Sequence, residues 1–194
     1  MPDTDTKTAD DSVDRRLDAL GRLVHAIQFD SWFAAVGDPM IDAERDEARL
    51  YLDGLGFGHA TIESVGSWHD AKAVADAPDW DLAWWQAEEN ERSDLQRRAE
   101  AEIGDQALYG ALTNVTNTAS DIVHGKAAVA AARGGVADEG LIRSAAGAAA
   151  MSCHQAALAL VTRAGDDHPF AAKYRLFAAG RWPLAINKGV FSVF

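Results

Sequence analysis

LIRSAAGAAAMSCHQAALALVTRAG, residues 141–165, decides how the rest of the chain is read. Between Ala145 and Val161 it is apolar at nearly every position, with no wet face on a helical wheel. A helix that is apolar all round has to be enclosed by other helices. The stretch therefore predicts the central helix of an all-α, single-domain bundle. Gly165 ends it, and Pro169, a favoured first-turn residue, starts the next helix, which carries Phe170, Tyr174 and Phe177 inward and stops at Gly180.

Upstream lies DQALYGALTNVTNTASDIVHGKAAVAAARGG. Leu108, Leu112, Val115, Ala119, Ile122 and Val129 form a heptad-like seam whose one polar entry is Lys126. A helix over 106–133 would span about 42 Å at 1.5 Å per residue. A short connection near 134–141 makes it the antiparallel neighbour of the central helix. His124 and His154 share an offset of thirty with Ala127 and Ala157 and with Arg133 and Arg163, a loose echo that puts the two imidazoles at similar levels.

Four more segments complete an expected six to seven helices. Val13, Leu17, Leu20, Val24 and Ile27 recur at spacings of 4, 3, 4 and 3, which predicts a helix from about 11 to 35, with His25 beside the stripe and partly exposed. Ile41, Ala48, Tyr51 and Leu55 share a face opposite Glu44, Arg45, Asp46 and Glu47, so a second helix ends at Gly54, with a short strand over 48–52 as the alternative. Residues 59–77 read as a short helix or two half-helices. Asp79 or Asp81 caps a fourth, in which Leu82, Trp85, Leu95, Ala99 and Ile103 face inward and Glu88–Arg92 and Asp94–Arg98 pair at i,i+4. Trp84 and Trp85 beside Glu88 and Glu89 read as a core anchor under an acidic face, with a pocket as the alternative. The tail RWPLAINKGVFSVF departs from helical patterning: Asn187-Lys188-Gly189 between two apolar runs predicts a small C-terminal β-hairpin.

Charge sets limits on partners. The net charge is −12. Residues 1–105 hold 10 basic and 25 acidic side chains, and residues 106–194 hold 8 and 5. The acidic front half argues against nucleic acid. The first eleven residues are acidic with little to bury, so 1–11 is expected to be disordered and 12–194 to form the domain. Without a secretory apolar core or an uninterrupted apolar span, the expectation is a soluble, cytoplasmic chain with no membrane contact. Cys153 is the one cysteine, which excludes an internal disulfide and a cysteine-based zinc site; it reads as a core residue.

Chemistry concentrates on one helical face. Asn114, Asn117, Asp121 and His124 are spaced 3, 4 and 3, and His154 and Gln155 lie on the central helix. Asp121 and His124 sit one turn apart, close enough to share a proton, a hydrogen bond or a metal ion. Three readings follow: a solvated face, a satisfied internal network, or an inter-helix site for a small polar ligand or a divalent metal. In the last, Asp121, His124 and His154 are the metal ligands or catalytic groups, and Asn114, Asn117 and Gln155 contact ligand. Three ligands with an open position suit catalytic zinc, whereas no Glu-x-x-His, nucleophile elbow, phosphate loop or dinucleotide glycine motif occurs. His69-Asp70 lacks the apolar lead-in and the Ile-Gly that HD-type phosphohydrolases place around their metal-binding pair. Against the site stands a different class: an immunity-type or regulatory interaction module whose acidic front half meets a basic protein partner.

Overall fold

In the computed structural model, residues 4–194 are described, with side chains from Val13 onward. Seven helices make up 66% of the fold, beside a small three-stranded sheet. They are α1 (Thr4–Ile27), α2 (Asp42–Gly54), α3 (Trp68–Ala75), α4 (Leu82–Ile103), α5 (Asp105–Arg133), α6 (Glu139–Val161) and α7 (Pro169–Ala178). The strands are β1 (Thr61–Ser64), β2 (Pro183–Asn187) and β3 (Val190–Val193). The expectation of a disordered segment over 1–11 falls on residues 1–3 and on side chains outside the described residues; α1 takes in the backbone from Thr4.

The enclosing of α6 is as expected. It packs on α1, α4, α5 and α7, most extensively on α5. By length and composition it could cross a membrane, yet about two thirds of its apolar window is buried against the protein's own helices. Asp138 caps it by accepting from the Leu141 N–H at 3.0 Å. That bond and Lys72 hold the Asp138 carboxyl below its ordinary range.

The buried positions of α5 are Ala131 and a row formed by Leu108, Leu112, Val115, Ala119, Val123, Ala127 and Ala130. From Leu108 to Ala130 the row advances 22 positions in six turns, about 3.7 per turn, close to a straight helix rather than a 3.5-residue heptad. The expected seam therefore drifts off the core in its second half: Ile122 is half-buried, and Val129 and Lys126 face solvent.

Several inward assignments change for one reason: buried carboxylates have found cations. On α4 the buried face is Trp84, Glu88, Leu95 and Ala99, whereas Leu82 and Trp85 are exposed. Glu88 is inside because Lys173 of α7 meets it there. On α2, Ile41 is the exposed N-cap and Glu44 the buried residue, paired with buried Arg181 at 2.9 Å. Arg181 also donates to the carbonyls of Ala35, Asp38 and Pro39. The surface pairs on α4 are Glu89–Arg92 and Asp94–Arg97, one residue closer than expected.

α1 stops at Ile27 rather than near 35. The Trp32 indole N–H donates to the Ile27 carbonyl at 2.8 Å, and Phe33 takes a positive φ of 60°, so the chain turns back and buries both rings. Gly180 lets α7 end against this turn: its φ is +95°, and a Cβ there would lie 2.8 Å from the Ala35 nitrogen.

The C-terminal hairpin forms as expected. Lys188 and Gly189 both have positive φ, the signature of a two-residue type I′ turn. The sheet order is β1-β3-β2, with β1 parallel to β3. β1 replaces the helix expected over the first part of 59–77, and α3 accounts for the second. A lone hairpin is marginal in water, and β1 gives β3 a partner on its free edge.

Candidate functional site

Two polar constellations meet α6, and they differ in closure. The first is internal. Gln155, 1% exposed, donates from its amide nitrogen to Glu88 Oε1 at 3.0 Å and accepts from Lys173 Nζ at 3.2 Å. Lys173 is ion-paired with Glu88 and lies 5.8 Å from the centre of the Tyr51 ring. The Trp84 indole donates to the Tyr51 hydroxyl at 2.9 Å. Burial, then the Glu88 charge, pushes the Tyr51 phenol well above its usual range. Five side chains from α2, α4, α6 and α7 thus partner one another. Gln155 holds the bundle together here rather than lining a cleft.

The second is open. α4 and α5 are joined through Gly104, whose φ of +90° turns the chain sharply between them. Below this vertex lies a cleft of about 530 Å³ between α4, α5 and α6. Leu108 and Leu112 form its apolar floor, and Gln96, Glu100, Asp105, Thr113, Thr116 and Asn117 its polar walls. His154 closes it at the back. A smaller hollow of about 210 Å³ shares Thr116 and His154 and adds Arg92, Gly147, Ala150 and Met151. The imidazole is half-buried and makes no hydrogen bond among the described residues. Desolvation, then the Arg92 charge, lowers its pKa, so it is held neutral.

The sequence stripe is split between places. Asn117 shares the cleft with His154. Asp121 lines a different concavity, on the far side of α5. Asn114 and His124 are exposed and line neither. His154 stands level with Thr116 and Asn117, and His124 is seven or eight residues further along, about 11 Å. The reason is the connection: residues equally far from the 134–138 turn face one another in an antiparallel pair, so an offset of thirty does not align the two rings. Among the described residues no three His, Cys, Asp or Glu side chains group closely enough to hold a metal ion, so Asp121, His124 and His154 do not form the expected ligand set.

Reasoning from sequence missed Glu88 with Lys173, and the cleft wall Gln96, Glu100, Thr113 and Thr116. A signal for the wall existed: Tyr109, Thr113 and Thr116 follow i, i+4, i+7 beside the Leu108–Leu112 seam. Compared with protein-family models, curated proteins and solved structures, the chain finds no match.

Proposed function

We propose that the protein binds a small polar molecule, neutral or positively charged, in the α4–α5–α6 cleft, with His154 as the acceptor at its back. The observation that carries the reading is the state of His154: half-buried, held neutral, and without a hydrogen-bond partner among the described residues. Among the described residues neither His154 nitrogen is a buried atom without a partner, so the ring meets water in the cleft. A hydroxyl or ammonium donor from a ligand takes the place of that water. Glu100 and Asp105 bring negative charge to the mouth, which disfavours anions. Gln96, Thr113, Thr116 and Asn117 offer donors and acceptors to a molecule with several polar groups.

The test is thermal unfolding in a panel of polyols and primary amines, with His154→Ala and His124→Ala as paired variants. A binder at a hundred times its Kd stabilises by about 2.7 kcal/mol. The expected result is a ligand-dependent rise in Tm that His154→Ala abolishes and His124→Ala leaves intact. A rise that survives His154→Ala, or no rise with any probe, overturns the proposal.

The interaction-module reading has its own support. Trp80, Leu82 and Trp85 are exposed together at the start of α4, the two indoles 6.2 Å apart, in the acidic half of the chain. It requires Leu82→Ser and Trp85→Ser to weaken binding of a basic probe such as polylysine while the His154-dependent Tm response is unchanged.

A further inference from the structure

Across α5 from His154 lies a larger concavity, about 1070 Å³, between the turn of residues 28–34 and the second half of α5. Its walls are apolar where they are broad. Phe29 and Val129, 73% and 52% exposed, flank it, and Ile122 lies between. Gly125 adds no side chain to the middle of the α5 wall. These side chains give the apolar body of a small ligand a surface to lie on.

Charge in this cleft is ordered along the helix. Lys126 and Arg133, two turns or about 10.5 Å apart, both line it, and neither has an ion-pair or hydrogen-bond partner among the described residues. Among the described residues Arg22, Arg45 and Arg143 also lack a carboxylate partner, so what sets Lys126 and Arg133 apart is that both line one apolar concavity. Asp121 lies more than a turn before Lys126, at the other end of the α5 wall, and Asp30 is engaged by the Tyr174 hydroxyl. The arginine end is therefore open to an anion, Lys126 lies between, about 7.5 Å along the helix from Asp121, and the aspartate end opposes one.

We propose that this cleft binds an organic monoanion, an alkyl or aryl carboxylate whose apolar body lies on Ile122, Val129 and Phe29 and whose carboxylate is held by Lys126 and Arg133. The site shares no lining residue with the His154 cleft, and the two proposals stand or fall separately.

The experiment titrates hexanoate, octanoate and the uncharged control octanol into the ¹⁵N-labelled full chain, followed by amide shifts and calorimetry. Expected are shifts at residues 28–34 and 118–133, tighter binding of octanoate than hexanoate, and octanol at least tenfold weaker than octanoate. Lys126→Ala with Arg133→Ala, both on an exposed helical face, should bring octanoate down to the affinity of octanol. Asp121→Asn should tighten octanoate severalfold, and it serves as the deciding variant if the double substitution melts early. Shifts absent from these two segments, equal affinity for octanoate and octanol, or octanoate binding that is unchanged or weaker in Asp121→Asn would each overturn the proposal.

Discussion

His154 and Gln155 are neighbours in the chain and opposites in the fold. Gln155 looks toward α4 and α7, where Glu88 and Lys173 take both ends of its amide. His154 looks toward the α4–α5 vertex, where nothing among the described residues bonds it. Cys153, one residue earlier, is again fully buried. At about 100° per residue, three consecutive positions on one helix sample three different neighbourhoods. The contrast teaches that a polar residue on an apolar helix takes its role from its neighbour. α7 brings a cation to α6, so that side closes. Gly104 turns α5 sharply away from α4, so that side opens.

Breaking the closed side should have the largest effect. Lys173→Ala leaves Glu88 buried without its cation and should cost about 3–5 kcal/mol in urea unfolding. Replacing the three polar groups together, Glu88→Leu, Lys173→Met and Gln155→Leu, should recover most of that loss, because the buried Gln155 amide has both its partners in the pair. A cost for Lys173→Ala below about 1 kcal/mol would mean that the network is open to water after all.

Reactivity tests the sealing one residue away. Burial, then the nearby Asp30 charge, pushes the Cys153 thiol up to about 12. Its thiolate is therefore scarce, and alkylation at pH 8.5 should be slower in the native protein than in urea by at least about a hundredfold. Native and unfolded rates within tenfold would show that α6 is less enclosed than its packing implies.

The open side should be nearly silent in stability and audible in pH. His154→Ala is expected to cost about 1 kcal/mol or less at pH 7.5. Because the fold lowers the His154 pKa, the unfolded chain takes up the proton more readily. Stability contributed by the neutral ring is present above the unfolded value near 6.5 and is lost as pH falls from there through the lowered folded value. The drop in Tm from pH 7.5 to 5.5 should therefore be smaller in His154→Gln than in the parent. Equal drops would place His154 in ordinary solvent.

The smallest effect falls on Asp30. Burial raises its carboxyl pKa, and the Tyr174 hydroxyl partly offsets that. A raised carboxyl contributes stability below its unfolded value near 3.8 and loses it as pH rises through the folded value. Asp30→Asn keeps an acceptor for Tyr174 without the buried charge. At pH 7 it should change unfolding free energy by about 0.5 kcal/mol or less, or raise it slightly, and any gain should shrink toward pH 4. A loss above about 2 kcal/mol would show that the ionised carboxylate is needed where it sits.

Much of this was legible in residues 141–165 and their flanks. An apolar circumference called for enclosure, Asp81 and Pro169 marked helix starts, and Asn187-Lys188-Gly189 marked the hairpin. Each of these depends on contacts within about four residues, or on hydrophobic periodicity that any neighbour can satisfy. Only tertiary structure decided which polar groups meet. Glu88 finds Lys173 from 85 residues away, β1 pairs with a strand near the other end of the chain, and the turn at 134–138 sets His154 beside Asn117 instead of His124. The physical reason is that caps and turns are written in local hydrogen bonds, whereas the partner of a buried charge is chosen by the register of whole helices, which no short stretch of sequence contains.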